Sequence, residues 1–310
     1  MKILVTGGAG FIGSHIVDKM IEKDYEVVVV DDLSTGRKEN LNPKAKFYRL
    51  DIRSFAELEK VFEKEKFEFV CHQAAHVSVR ESLQDPVFDA QVNILGSLNI
   101  LQGCLKYGIK KVIFASTGGA LYGDADILPT SETYPPKPIS PYGVSKLSVE
   151  HYLHYYKMEY KLDYVVLRYA NVYGPRQDPF GEAGVVAIFS QKIAKNAQPI
   201  INGDGKQTRD FIYVDDVVSA NLLALKSDFT DTFNVGTGKQ TSINELFHLL
   251  VSISGKKVKE VHGPEQKGEQ RVSALDCRKI KEKLGWEPKV KLEDGLRKTY
   301  EWFVLQERKR

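Results

Sequence analysis

The first thirteen residues, MKILVTGGAGFIG, constrain the fold of this chain more than any other stretch. Lys2 to Val5 reads as a short buried strand. Gly7, Gly10 and Gly13 follow, and Phe11, Ile12, Ile16, Val17, Met20 and Ile21 then recur at helical spacing. Glycine is needed where a chain reverses tightly, where backbone must lie against a diphosphate, and where helix and strand pack closely. The new helix N-terminus adds unpaired N–H groups and the positive end of its dipole. The stretch predicts strand, turn and helix, with Gly7, Gly10, Phe11, Ile12 and Gly13 around a diphosphate.

Glycine-rich turns also occur without a ligand, so the next strand decides. Glu26 to Val30 ends in Asp31 and Asp32, and Asp31 comes 18 residues after Gly13. At that distance a βαβ unit sets an acid on the adenosine ribose hydroxyls. A carboxylate there repels a 2'-phosphate, which favours NAD(H) over NADP(H); Arg37 and Lys38 soon after weaken that preference. The connecting Leu33, Ser34, Thr35 and Gly36 complete the expected nucleoside loop.

The alternation then continues. Lys46 to Leu50 reads as a strand ending in Asp51, Ala56 to Glu65 as a helix, and Phe67 to Cys71 as a buried strand. Strands alternating with helices predict a parallel sheet, and ligands of such sheets lie beyond the carboxyl ends of the strands. Asp51, Ile52, Gln73, Ala74 and Ala75 therefore fall on the cofactor side, with helix capping or solvation as the alternative for Asp51. The fold class expected is α/β: a Rossmann, doubly wound parallel sheet with a smaller C-terminal α/β substrate-binding domain. The boundary is placed after residue 168, with 210–225 returning to the first domain.

Length and composition fit this plan. A chain of 310 residues has room for two domains and ample core. With 27% charged residues and a formal net charge of +3, nothing points to nucleic acid or a membrane. Cys71, Cys104 and Cys277 are too few and too scattered for a disulfide framework or a metal site, as expected in a reducing cytoplasm. No stretch approaches membrane-spanning length, and the N-terminal apolar run is too short for a signal peptide.

Two helical stretches, Asp89 to Tyr107 and Val144 to Tyr160, carry apolar residues on more than one side. Such helices need a second partner, so the expectation is a homodimer in which the two pair with their symmetry mates.

Tyr142 and Lys146 stand four apart, on one face of the helix that PYGVSK opens. Tyr107 and Lys111 share that spacing, but they lie between a helix and the next strand and read as solvated. Ahead of Tyr142, Ser116 and Thr117 end the strand from Lys111 on the cofactor side. A phenol is a poor base at neutral pH, yet a nearby ammonium and a cationic nicotinamide ring both favour phenolate. Lys146 supplies that charge, and Thr117 or Ser116 can hydrogen-bond a substrate hydroxyl.

Gly7, Gly10, Gly13, Asp31, Asn93, Tyr142 and Lys146, with YANVYGPR at 169 to 176 and RDFIYVDD at 209 to 216, resemble the extended short-chain dehydrogenase/reductase superfamily. The likeness spans essentially the whole chain and is strongest to UDP-glucose 4-epimerases. It implies a retained NAD that contacts Asn93, and a UDP-hexose oxidised and re-reduced at C4 with Tyr142 as base. It also implies that Asn171 and Arg209 contact the UDP-sugar, Arg209 pairing a phosphate bidentately, with Val185, Ile200, Ile201, Asn202, Glu269 and Arg271 as further contacts.

Related dehydratases usually carry an Asp-Glu pair just after the active-site threonine, and decarboxylases a glutamate. Here Thr117 is followed by Gly118, Gly119, Ala120, Leu121 and Tyr122, with no carboxylate, which favours epimerisation. One departure stands out: such epimerases often have Ser or Thr four residues before Tyr122, and this chain has Gly118. The hydroxyl role is assigned to Thr117, with Ser116 second. Ser273 lies where the resemblance has a bulky residue closing the sugar pocket, so N-acetylhexosamines are expected to fit. The rival readings are another NAD-dependent nucleotide-sugar enzyme (a uronate epimerase, decarboxylase or 4-ketoreductase) and a non-catalytic NAD- or RNA-binding protein on the same fold.

Overall fold

The computed structural model describes residues 1–180, 184–265 and 270–308. Among them the chain runs β1 (Lys2–Thr6), α1 (Phe11–Ile21), β2 (Glu26–Asp31), β3 (Lys46–Arg49), α2 (Phe55–Glu65), β4 (Phe69–His72), α3 (Val79–Gln84), α4 (Pro86–Ala90), α5 (Gly96–Lys106), β5 (Lys111–Thr117), α6 (Pro141–Tyr160) and β6 (Asp163–Tyr169). Then follow β7 (Asn171–Tyr173), α7 (Val185–Ala194), β8 (Ile201–Asn202), β9 (Thr208–Arg209), β10 (Phe211–Tyr213), α8 (Val214–Lys226), β11 (Asp231–Val235), β12 (Thr241–Ser242), α9 (Ile243–Ser254), β13 (His262–Gly263), α10 (Arg278–Leu284) and α11 (Leu292–Arg308).

Seven of these strands form one parallel sheet in the order β11-β6-β5-β4-β1-β2-β3. Its central strands are buried along nearly their whole length because helices cover both faces. Alternation divides each strand between two cores. Ile3, Val5, Val27 and Val29 pack with Ile16, Val17 and Met20 of α1 and Val217 of α8. Leu4, Val28 and Val30 pack instead with Phe62 of α2, Ile100 of α5 and Val149 of α6. The sheet is thus doubly wound. Its order reverses between β4 and β1, which puts the glycine turn after β1 at the crevice where such sheets bind ligands.

The expected helix from Asp89 to Tyr107 is divided. Asp85 caps α4, accepting from the Phe88 N–H, Pro86 opens it, and one π turn over Gln91–Leu95 joins it to α5. Beyond that turn Gly96 packs against Ile52, whose Cδ1 would lie 2.7 Å from an added Cβ. Lys111 is a correction: it is buried, and its Nζ donates to the Ser227 carbonyl rather than to solvent.

Two elements from the second half return to the sheet. Helix α8 joins the α1-side core, and β11 pairs with β6 beyond the 210–225 stretch. The remainder is built from three two-stranded pairs, β10 with β7, β12 with β9 and β13 with β8, and from α7, α9 and α11 around Phe189, Phe247 and Leu296. Asp210 and Asp216 in the RDFIYVDD stretch hold these parts together. Asp210 accepts from the Thr237, Gly238 and Leu275 N–H groups, and Asp216 from those of Lys289 and Val290.

A Cβ on Gly13 would collide with the Gly7 carbonyl oxygen, against backbone that cannot yield. Gly13→Ala is expected to cost about 1–3 kcal/mol, as overpacking does elsewhere, read as a lower denaturant midpoint; an unchanged midpoint would show that the turn relaxes.

Candidate active site

The glycine turn sorts its glycines by what surrounds them. Gly7 has φ +69°, in the left-handed region, and a Cβ there would lie 2.7 Å from the Ala74 nitrogen. At Gly10 the nearest protein atom to an added Cβ would be the Gly7 oxygen at 3.2 Å, so the turn is less crowded there. Gly10 also caps α1 without a side-chain bond, and no acid occupies the first turn, so the Phe11 and Ile12 N–H groups remain for an anion. This turn fits a dinucleotide's diphosphate.

Asp31 ends β2 and is buried. Its Oδ2 accepts from the Ala9 N–H at 3.0 Å and its Oδ1 from the Leu33 N–H at 2.8 Å, while burial pushes its pKa up. Asp32 accepts from the N–H and the hydroxyl of Ser34, which shapes the loop through Leu33, Ser34, Thr35 and Gly36. Asp51 is paired with Arg53, with Nε at 2.8 Å from Oδ2, and that guanidinium holds its carboxyl below the usual range. Ile52 is buried against Gly96. Beyond β4, the Gln73 N–H donates to the Thr6 carbonyl and the Ala74 N–H to Thr6 Oγ1, with half-buried Ala75 next. Asn93, on the π turn, accepts from the His76 N–H and donates to the His76 carbonyl, which holds this loop in place.

Ser140 accepts from the Gly143 N–H and Pro141 opens α6, so Tyr142 lies in its first turn. One turn on, Lys146 is buried. Its Nζ donates to the Ala115 carbonyl at 2.9 Å, 4.8 Å from the Phe114 ring centroid and 5.9 Å from that of Tyr142. Burial pulls its pKa down to about 8. The same turn abuts the end of β5, since a Cβ on Gly143 would lie 2.5 Å from the Ala120 oxygen. Half-buried Thr117 accepts there from the Ala120 N–H at 3.2 Å. The structure therefore brings Tyr142, Lys146 and Thr117 to one corner.

Ser116 does not join them. Strand alternation turns it to the other face, where it is buried and donates to Glu150 Oε1 at 2.5 Å. Glu150 is paired with Arg168, which in turn donates to the Tyr122 hydroxyl, and Tyr122 donates to Asn234. Sequence reasoning missed this network, although Glu150 sits four residues after Lys146 and could have been noticed as a buried-face acid. Gly118 also has its reason. A Cβ there would collide with Leu275 Cδ1, so a side chain at 118 would require the leucine to move.

The substrate candidates are more scattered. Asn171 opens β7, its N–H on the Asp210 carbonyl at 2.9 Å, and Val185 is the half-buried first residue of α7. Of Ile200, Ile201 and Asn202, the middle residue is a core side chain, a correction to its expected contact with substrate; Ile200 and Asn202 are exposed. Arg209 donates to the Thr208 carbonyl at 2.8 Å, and Arg271 makes two bonds to Asp204, at 3.0 and 2.7 Å. Glu269 lies outside the described residues. Among the described residues no cluster of His, Cys, Asp and Glu is placed to hold a metal, and no helix is long and apolar enough to cross a membrane.

The model of the NAD dependent epimerase/dehydratase family matches residues 3–236. The chain is 54% identical to a Thermotoga maritima UDP-glucose 4-epimerase solved with UDP-glucose, over 99% of both chains, with a TM-score of 0.97. It is 44% identical to the Thermus thermophilus UDP-glucose 4-epimerase solved with NAD, over 98% of this chain and 99% of that one, with a TM-score of 0.94. A UDP-N-acetylglucosamine 4-epimerase from Methanobrevibacter ruminantium is 40% identical over 98% of both chains, with a TM-score of 0.93.

Removing one partner of a buried ion pair strands the other. Glu150→Gln, which leaves Arg168 buried without its carboxylate, is expected to destabilise the fold by about 3–5 kcal/mol in chemical denaturation; a loss within experimental error would mean that water reaches the guanidinium.

Proposed function

The chain belongs to the NAD-dependent epimerase/dehydratase family, and from that premise we propose that it interconverts UDP-glucose and UDP-galactose. The observation that carries this reading is the corner where Tyr142, Lys146 and Thr117 meet, on the strand-end side of the sheet that also bears the glycine turn. NAD+, when bound, supplies the acceptor and then the donor of the hydrogen at sugar C4. The chain holds it with Gly7, Gly10, Phe11, Ile12 and Gly13 at the diphosphate, and with Asp31 to Gly36, Asp51 and Ile52 at the adenosine. Gln73 to Ala75, Asn93, Tyr142 and Lys146 would supply its remaining contacts.

Tyr142 takes the proton of the 4-hydroxyl as C4 is oxidised, and returns it to the oxygen when the other face is reduced. The Lys146 ammonium favours the phenolate, and Thr117 Oγ1 fixes the hydroxyl in line. Between the two halves the 4-keto sugar must turn over, so the nucleotide is gripped and the hexose left loose. Asn171 and Arg209 serve that grip, and Arg271 joins them by exchanging Asp204 for phosphate. The related dehydratases and decarboxylases usually carry a carboxylate just after the active-site threonine, and Gly118 to Tyr122 contain none, which supports epimerisation. Ser273 is small and buried, which supports room for an N-acetylhexosamine as a second substrate.

The assembly we infer is a homodimer. Leu95 ahead of α5, and Val144, Tyr152, Tyr155 and Met158 along α6, are exposed on helices that lie side by side, a surface suited to a second copy. Three free cysteines suit a reducing cytoplasm. We divide the chain into a NAD-binding part, 1–168 with α8 and β11 added, and a nucleotide-sugar part formed by the rest.

Incubation with UDP-galactose, without added cofactor, is expected to yield UDP-glucose, and no conversion would refute the reading. Tyr142→Phe is expected to lower kcat by about 10²–10⁴-fold, the usual contribution of a positioned acid–base group. Thr117→Val with unchanged kcat would remove the hydroxyl from the account. In analytical ultracentrifugation at micromolar concentration the protein should sediment as a dimer, and a monomer there would count against the paired helices.

A further inference from the structure

Lys146 is enclosed, and a buried ammonium persists only where negative charge offsets its lost hydration. The titratable groups around it are Tyr142 and Glu150 on its own helix, His72 at the end of β4, Arg168 on β6 bound to Glu150, and Asp89 of α4 with its partner His76. From β5 it meets the Ala115 carbonyl and the Phe114 ring.

The two carboxylates are not equivalent. Glu150 is taken up by Arg168, with Nε at 3.0 Å from Oε1 and Nη2 at 2.5 Å from Oε2, so the pair presents almost no net charge to Lys146. His72 is held neutral, since burial takes its pKa down to about 3. Asp89 is fully buried and receives Ser145 Oγ at 2.7 Å, Asn93 Nδ2 at 2.9 Å and His76 Nδ1 at 3.2 Å. The other nitrogen of His76 meets a second carboxylate, Glu81, at 2.8 Å. Ser145 immediately precedes Lys146, which fixes this carboxylate against the same helical turn.

We propose that Asp89 is the positioning residue that holds the Lys146 ammonium in its charged form beside Tyr142. The inference rests on the reading of Tyr142 as the base. Without the carboxylate, Lys146 loses its proton more readily and the phenol loses the cation that favours its ionisation.

In the holoenzyme, Asp89→Asn is expected to move the acid limb of the kcat profile up by about one pH unit and the alkaline limb down by a similar amount. Ser145→Ala, which keeps the charge and removes one donor, should leave both limbs in place. The phenol can also be followed without substrate, from the tyrosinate absorbance lost on adding Tyr142→Phe to the unsubstituted protein and to Asp89→Asn. It should titrate about one pH unit higher in the second pair. If Asp89 only packs, its substitution lowers kcat at every pH and moves neither the limbs nor the phenol, and the proposal falls. Should Asp89→Asn fail to fold, Asp89→Glu keeps the charge. Native limb positions at reduced kcat support the proposal, and displaced limbs overturn it. A protein that leaves UDP-sugars unchanged contradicts the substrate reading, while the phenol titration still decides the role of Asp89.

Discussion

The buried bond from Lys146 Nζ to the Ala115 carbonyl is the constraint on which the rest of the site depends. It fastens α6 to the end of β5, so the first turn of the helix and the end of the strand form one corner. It also buries a cation within 6 Å of a phenol ring centroid, where an ammonium acts far more strongly than in water. The helix cannot slide or rotate on the sheet without stranding that charge. The sheet edge in turn is held by the pairing of β5 with β6, and that of β6 with β11, a strand contributed by the second half of the chain.

Polar groups elsewhere in the molecule serve the same end by fixing backbone. Asp31 spends its carboxylate on the N–H groups of Ala9 and Leu33, which joins the glycine turn to the loop after β2. The Asp210 and Asp216 carboxylates accept from backbone N–H and hydroxyl groups in the second half, and they bind the strand pairs there to the loops behind them. Among the buried acids, Asp31, Asp210 and Asp216 organise loops through N–H donors, Glu65 pairs with Lys2 and Lys46, and Glu150 pairs with the buried Arg168. Asp89 instead receives side-chain donors from Ser145, Asn93 and His76.

Much of the parallel sheet was legible in the sequence because its signals are local. Ile3 to Val5 and Val27 to Val30 are apolar at every position, as strands covered on both faces are, and Gly7 and Gly13 have steric reasons that the backbone bears out. What was not legible depends on partners distant in sequence. The π turn at Gln91–Leu95 comes between stretches of ordinary helical periodicity, and β11 is a short strand known only by its pairing with β6. Ser116 and Thr117 are equivalent in sequence until the pleat assigns them to opposite faces. Ile201 could not be told from its neighbours until the core closed over it, and Leu275 explains Gly118 from 157 residues away.

In the proposed reaction one carbon of a sugar alcohol gives up its hydrogen to NAD+ and receives the same hydrogen back. The decisive experiment is conversion of UDP-galactose carrying deuterium at C4, followed by mass and proton spectra of the UDP-glucose formed. The label is expected to remain at C4 in full. Loss of deuterium to solvent, or its appearance at another carbon, would contradict it.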